Sequence, residues 1–249
     1  MVGVLKAEFL KMKGARIPRM CAIGIAGFPI LLALPMAVLR WVAGAGGGYI
    51  MMPWKMFVGT SLGYIVVFVG PVLLGLVAAF LFAREFVEGT ARNLFALPVS
   101  RTQVVFAKLL VLLCWSTVPP VLAFLVLVPL GLALWSPGLS WDVLRQAFSS
   151  YALSGILIYS TLPLTCLVSM MSRGYIVPLA YTVLAIGVAL LDLGRGDYTF
   201  GLPYSLPAAL IISQDVPHLP TTACLILAGT FLAGVALCIV YLSRAQVDR

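Results

Sequence analysis

Six apolar stretches, each long enough to cross a lipid bilayer as a helix, constrain this chain more than any other feature. A bilayer core of about 30 Å requires about 20 apolar residues in a helix that rises about 1.5 Å per residue. Only 10% of the 249 residues are charged, whereas a soluble domain carries about 25%. We therefore predict an all-α integral membrane protein. The six predicted crossings are Met20–Leu39, Phe57–Ala83, Gln103–Trp135, Gln146–Met171, Tyr175–Leu191 and Thr221–Ser243.

The third stretch is too long for one crossing of the bilayer. Pro119 and Pro120 stand near its middle, and proline removes a backbone donor and crowds the preceding turn of a helix. We expect either a kink at these prolines or a helix end that protrudes into water. The whole chain, 1–249, is predicted to form a single transmembrane domain.

The distribution of Lys and Arg predicts the orientation in the membrane. Six crossings place twelve of these residues on the side of the N-terminus and four on the other side. Because basic residues near helix ends stay in the cytoplasm, both termini are expected there, with the chain in the plasma membrane. The formal net charge of +8 then follows from topology, and no nucleic-acid partner is expected.

Residues 1–18 are predicted to include a short amphipathic helix in the cytoplasmic interface. The apolar residues of one helical face are Val4, Leu5, Phe9 and Met12. Lys6, Lys13 and Glu8 fall elsewhere on the helix, which suits a helix lying at the membrane surface. The alternative is a frayed, charged tail.

The cytoplasmic loop at 84–102 is longer than a simple chain reversal requires. Ser100 followed by Gln103 forms a capping-box pattern, so a new helix is predicted to begin at Arg101. Pro98 prevents a continuous helix into that start. The segment from Glu85 to about residue 96 is therefore predicted to be a short amphipathic element between two helix ends.

The outer segment at 192–220 is predicted to be largely irregular, because it contains four prolines. Ser205 can cap a short apolar helix, Leu206–Ile212. Seven residues cannot cross a bilayer, so this helix is expected to dip into the outer leaflet or to pack on the spanning helices.

The sequence lacks the residue patterns that most forms of enzyme chemistry require. The sequence has no G-x-x-x-x-G-K-[ST] phosphate loop, no H-E-x-x-H and no G-x-S-x-G, and its one histidine, His218, stands in the outer segment. The five cysteines form no CxxC pair and are expected to be packed free thiols. No buried charge is expected inside the apolar helices, which argues against a proton- or sodium-driven carrier. We predict no catalytic residues, no metal and no cofactor in this chain.

These features together resemble the ABC-2 type permease subunits of ATP-binding cassette exporters. The pattern is a basic interfacial helix, six crossings, a charged loop between the second and third, and a short helix before the sixth. Within that family the chain looks most like the permeases of bacterial peptide-antibiotic immunity and bacitracin-type resistance. The matching loop residues are Glu88, Gly89, Thr90, Arg92, Asn93, Leu97, Pro98, Ser100 and Arg101.

The resemblance implies that the loop forms a coupling helix that docks on a separate ATPase subunit, which would bind ATP and magnesium. It also implies two permease chains per transporter, identical or sister subunits, in a bacterial inner membrane. Glu85, Glu88 and Arg92 would pair with the ATPase, and Gly89 would allow close approach. Two alternatives remain: a non-transporting sensor or scaffold partnered with an ATPase, and a membrane-embedded enzyme. Substrate-binding residues are unknown; an amphipathic or peptide cargo is the hypothesis that an apolar lumen favours.

Overall fold

The computed structural model describes residues 2–43, 53–89, 100–134, 140–195, 201–212 and 219–244, and its regular structure in these ranges is helical throughout. A π-helical turn, Ile65–Val69, joins the helix Trp54–Tyr64 to the helix Gly70–Val87. The α-helices are α1 (Val2–Gly14), α2 (Arg16–Ala43), α3 (Trp54–Tyr64), α4 (Gly70–Val87), α5 (Arg101–Leu134), α6 (Trp141–Ser172), α7 (Ile176–Arg195), α8 (Leu206–Ile212) and α9 (Leu219–Arg244).

The prediction of six membrane crossings is confirmed. Within the described ranges, six helical stretches are long and apolar enough to span a bilayer, and their ends lie within a few residues of the predicted ones. The second span combines α3, the π turn and α4. The six stretches are Arg16–Leu39, Trp54–Val87, Arg101–Leu134, Trp141–Ser172, Ile176–Gly194 and Thr221–Arg244.

Helix α6 lies at the centre of the bundle, in contact with α4, α5, α7 and α9. Because a hydroxyl buried in an apolar bundle needs a hydrogen-bond partner, some of its hydroxyls bond to carbonyls of the same helix and others pair with neighbouring elements. Tyr151 Oη donates to Ser61 Oγ over 2.9 Å, and the Thr165 and Tyr204 hydroxyls lie 2.7 Å apart. Gly155 lets α5 and α6 approach closely, since a Cβ atom there would stand 2.5 Å from the Ser116 carbonyl oxygen.

Helix α5 is unusually long for a bilayer crossing. Its 34 residues correspond to about 50 Å, against about 30 Å of bilayer core. The helix continues through Pro119 and Pro120. The residues beyond the length of one bilayer crossing are therefore helical as well. Its first two turns, up to Lys108, reach the end of the bundle where α1 packs.

The π turn in the second span has a local cause. Pro71 has no backbone N–H and cannot continue the regular hydrogen-bond ladder of an α-helix. The N–H of Gly70 bonds instead to the carbonyl oxygen of Ile65, five residues earlier. The span therefore contains one turn that is wider than the α-helical turns on either side of it.

The short helix α8 has the predicted bounds, Leu206–Ile212, and is largely buried against the other helices. Ser205 Oγ, at its start, donates to Asp192 Oδ2 over 2.6 Å and to the Leu202 carbonyl oxygen over 2.9 Å. Asp192 was assigned to the irregular outer segment, but it lies in the last turn of α7 and is only 1% exposed. The expectation that the helices contain no buried charged residue is therefore wrong at Asp192, and it is also wrong at Glu85 of α4 and Lys108 of α5.

Helix α1 packs differently from the expectation. Its Leu5 and Met12 pack in the hydrophobic core, and Glu8 lies on the same buried face, whereas Phe9 is 46% exposed. The apolar face that was expected to enter the membrane interface therefore contacts the spanning helices. The carboxylate of Glu8 can lie on that buried face because cationic side chains pair with it there.

Candidate coupling site

The loop between α4 and α5 is defined by its two ends. Helix α4 ends at Val87, and Gly89 follows with a backbone φ of 68°, in the left-handed region that favours glycine. Helix α5 begins at Arg101, as predicted, where the N–H of Gln103 bonds to Ser100 Oγ over 3.3 Å. The predicted loop residues outside the described ranges are Thr90, Arg92, Asn93, Leu97 and Pro98.

At the α4 end of the loop, four charged side chains from three helices form what we call the ion cluster: Glu8, Lys11, Glu85 and Lys108. Lys108 Nζ lies 3.1 Å from Glu85 Oε1 and 3.4 Å from Glu8 Oε2. Lys11 Nζ lies 2.8 Å from Glu8 Oε1 and 3.4 Å from Glu85 Oε1. The cluster therefore joins α1 to the last turns of α4 and the first turns of α5.

Three members of the ion cluster are almost fully buried. The side chains of Lys108, Glu8 and Glu85 are 5%, 4% and 9% exposed, and that of Lys11 is 43% exposed. Lys108 Nζ also donates to the Leu81 carbonyl oxygen over 2.7 Å. Buried charges persist only when they are paired and hydrogen-bonded, so the three helices depend on one another for the arrangement.

The electrostatics of α1 follow from this packing. Burial acts to raise the pKa of Glu8, but the charges of Lys108 and Lys11 outweigh it and hold this pKa below its ordinary value of 4.5. Burial acts to lower the pKa of Lys11, but Glu8 and Glu85 together raise it above its ordinary value of 10.5. Both groups are therefore charged at neutral pH, with their opposite charges facing each other.

The two glutamates of the predicted loop have different surroundings. Glu85 is buried in the ion cluster, so its carboxylate is engaged within the chain rather than presented to a partner. Glu88 has a side chain that is 46% exposed, and its Oε1 accepts from Arg84 Nε over 2.8 Å. The Arg84 guanidinium also lies 5.4 Å from the centre of the Phe80 ring. Glu88 is the acid that a partner can reach.

At the α5 end of the loop, Arg101 contacts the last turn of α9. Its Nη1 donates to the carbonyl oxygens of Leu242 and Ser243 over 2.7 and 2.9 Å. These carbonyls have no intrahelical partner because they belong to the end of a helix, and a cation there also complements the helix dipole. Arg101 thus joins the start of α5 to the end of the sixth span.

Sequence reasoning does not reveal the ion cluster of Glu8, Lys11 and Lys108. Lys108 falls inside the predicted third crossing, where no buried charge is expected, but it lies buried in α5 and pairs with two glutamates. A signal was present: Glu8 and Glu85 are two of the four acids on a side with twelve cations. Which cations pair with them depends on the packing of three helices, and sequence spacing does not reveal it.

The described residues contain no group of three or more His, Cys, Asp and Glu side chains that could hold a metal ion. All five cysteines are free thiols. Cys21, Cys166 and Cys238 are buried as expected, but Cys114 and Cys224 are exposed on the surface of the bundle.

The six spanning helices define a multi-pass, all-helical membrane protein. The model of the ABC-2 family transporter proteins matches residues 4–188, and the chain belongs to that family. Over 194 residues the chain is 29% identical to the bacitracin transport permease protein BCRB of Bacillus licheniformis. The aligned region covers 78% of this chain and 92% of that relative. The chain is therefore a permease subunit of a transporter that has an ATP-binding partner.

Proposed function

We propose that this chain is the permease of an exporter that moves an amphipathic or peptide-antibiotic substrate out of the cell or membrane, using ATP hydrolysed by a separate subunit. In this proposal the loop between α4 and α5 docks on the ATPase in the cytoplasm. Both termini lie on that side of a bacterial inner membrane, and two permease chains, identical or sister subunits, form the pathway.

The observation that carries this proposal is the anchoring of the loop at both ends. Glu85, at the α4 end, lies in the ion cluster with Lys108 of α5 and Glu8 of α1. Arg101, at the α5 end, is hydrogen-bonded to the last turn of α9. A displacement of the loop would therefore act on the second, third and sixth spans and on α1, as energy transmission requires.

The exposed residues at the start of the loop suit a docking surface. Glu88 offers a reachable carboxylate, although Arg84 already pairs with it, and the exchange of such surface pairs has a small energetic cost. None of the described residues has an atom within 4 Å of where a Cβ atom of Gly89 would stand. A partner surface can thus approach the backbone closely at this position.

The substrate class rests on the relative and on the composition of the bundle. The similar protein is named as a bacitracin transport permease, and bacitracin is a peptide antibiotic. Apart from the ion cluster, Asp192 and the Trp54 indole N–H, the polar groups of the buried side chains in the described ranges are hydroxyls, with the weakly polar cysteine thiols beside them. Such a bundle suits a cargo that is itself partly apolar.

A co-purification experiment in a host that produces the natural ATPase partner tests the coupling part of the proposal. The tagged chain is purified from native membranes in mild detergent, and every co-purifying chain is identified. We expect an ATPase with a phosphate loop, and we expect Glu88→Lys and Gly89→Trp to lose it. The matched control is Asp142→Lys, which reverses an exposed acid at the opposite end of the bundle and is expected to retain the ATPase.

Antibiotic sensitivity tests the cargo separately. A strain that lacks the gene is compared with one that carries the wild-type chain across a panel of membrane-active peptides, including bacitracin. Lower sensitivity with the wild type, lost in Glu88→Lys and kept in Asp142→Lys, is the expected result. Unchanged sensitivity across the panel would overturn the peptide cargo. Recovery of a folded protein without any ATPase would overturn the coupling proposal.

A further inference from the structure

We infer that α1 carries a binding surface for anionic phospholipid headgroups, formed by Lys6, Phe9, Leu10 and Lys13. These residues lie three and four positions apart and so share one face of the helix. All four are exposed. We call them the outward face of α1. The inference concerns the membrane around the protein and does not depend on the cargo or on the ATPase.

The ion cluster fixes the rotation of α1. Glu8 and Met12 point into the bundle, where Glu8 pairs with Lys108 and Met12 is 1% exposed. Because successive residues of a helix are turned by about 100°, the outward face lies roughly opposite these two side chains. The surface is therefore held in one orientation and does not depend on a helix that is free to rotate.

The cations of the outward face lack acidic partners. Among the described residues, the ion pairs of α1 are those of Glu8 and Lys11, and neither Lys6 nor Lys13 takes part in one. The adjoining start of α2 adds two exposed cations, Arg16 and Arg19. Glu8 is the one acid of α1, and it is buried. The exposed charged side chains of α1 and of the start of α2 are therefore all cations.

The position along the chain places these cations at headgroup depth. Only Ala15 separates α1 from α2, and the first span begins at Arg16. Lys13 thus lies three residues before the span, which at most about 3.6 Å per residue is about 11 Å of chain. Since the polar headgroup layer is about 5–8 Å deep on each side of the hydrocarbon core, this upper limit places Lys13 in that layer or directly beside it.

A lipid surface suits the outward face better than a soluble protein does, because the face combines cations with exposed apolar side chains. Phe9 and Leu10 are 46% and 57% exposed, and they lie between Lys6 and Lys13 on the helix surface. At a bilayer surface the apolar side chains enter the acyl boundary while the ammonium groups meet lipid phosphates. Anionic lipids add a net negative charge that zwitterionic lipids lack.

Lipid titration of the full-length protein tests the inference. The protein is purified in mild detergent, and native mass spectrometry measures the binding of phosphatidylglycerol and of phosphatidylcholine with the same acyl chains. We expect the wild type to prefer phosphatidylglycerol. The double variant Lys6→Gln/Lys13→Gln is expected to lose affinity for it by roughly fivefold per removed cation, or about 25-fold in total. Both glutamine substitutions preserve helix propensity.

The matched control is Lys55→Gln/Arg145→Gln, which removes two exposed cations at the opposite end of the bundle and is expected to leave the preference unchanged. An excess of inorganic phosphate at constant ionic strength distinguishes a lipid site from a simple phosphate site, because it displaces the lipid only from the latter. Equal binding of the two lipids, equal losses in the two double variants, or displacement by phosphate would each overturn the inference.

Discussion

Lys108 Nζ and Glu85 Oε1 lie 3.1 Å apart, although the two residues stand on either side of the loop that joins the second and third spans. Both side chains are buried, so the pair closes the base of the loop in a region where water does not screen it. The two helices that flank the loop are thus joined at its base by a charged contact as well as by the chain itself.

Removing the central cation of the ion cluster should destabilise the protein strongly. Lys108→Met keeps the length of the side chain but leaves Glu8 and Glu85 buried near a single, more exposed cation. We expect a loss of about 3–5 kcal/mol, the usual effect of breaking a buried pair, measured as a lower midpoint of thermal unfolding in detergent. Lys55→Met, at an exposed cation of α3, should change stability by less than about 0.5 kcal/mol.

A triple variant shows whether that loss comes from unpaired charge. Glu8→Gln and Glu85→Gln, added to Lys108→Met, remove the carboxylates that the first substitution leaves behind. Because neutral groups cost much less to bury than charges, most of the lost stability should return. A triple variant no more stable than Lys108→Met would contradict the ion-cluster explanation.

The docking of α1 should depend on pH in a defined direction. The pKa of Glu8 is lowered on folding, so its contribution is present above its ordinary value of 4.5 and is lost as the pH falls through the lower, folded value. The pKa of Lys11 is raised, so its contribution is present below 10.5 and is lost as the pH rises through the higher, folded value. We expect hydrogen exchange of α1 amides, corrected for intrinsic rates, to accelerate at both extremes.

In the variant Glu8→Gln the acidic limb of this profile should disappear, while the alkaline limb should persist through Glu85 and Lys11. If exchange in α1 does not change with pH between neutrality and the acidic range in the wild type, the ion cluster does not hold α1 in place.

The contact of Arg101 with α9 should be visible at the end of the last span. Arg101→Gln removes the donors to the carbonyls of Leu242 and Ser243 and the charge that complements the helix dipole. We expect a loss of about 0.3–2 kcal/mol, seen as faster hydrogen exchange in the last turn of α9. Arg173→Gln, at an exposed cation of the α6–α7 turn, should leave exchange in α9 unchanged.

The close approach of α5 and α6 at Gly155 should not tolerate a methyl group. In Gly155→Ala the new Cβ atom would stand 2.5 Å from the Ser116 carbonyl oxygen and 2.8 Å from Thr117 Cα, both backbone atoms. The helices must separate, and overpacking of this kind costs about 1–3 kcal/mol. Gly59→Ala, which meets nothing within 4 Å, should be neutral or slightly stabilising. Thermal unfolding of the two variants side by side tests this contrast.

The spans were predictable because their signal is local. A run of about 20 apolar residues has few alternatives to a membrane-spanning helix. An N-capping residue such as Ser100, before Arg101, marks the start of a helix to within a few residues. Helix α8 was predictable for the same reason, since Leu206–Ile212 is apolar and too short to span. The burial of Asp192 was not predictable, because its partner, Ser205, comes from a different element.

The candidate site was predictable only in part. The motif at the loop pointed to Glu88, Gly89 and Arg101, and the structure gives these residues an exposed carboxylate, a left-handed backbone and a contact with α9. Glu85 was in the predicted set, but its neighbours were not foreseen, since Glu8 is 77 positions away in sequence. Pairings of that range follow from tertiary packing, which a single sequence does not encode in any short pattern.

The π turn at Ile65–Val69 makes one position in the second span tolerant of a change in chain length. Such a turn accommodates one residue more than an α-helical turn does. Deleting one of its residues can restore a regular helix and leave Glu85 directed at Lys108. The same deletion within α4 would rotate every later side chain by about 100° and turn Glu85 away from its partner. The alignment of the loop with the rest of the bundle therefore constrains insertions and deletions throughout α4, whereas the π turn that precedes it tolerates the deletion of one residue.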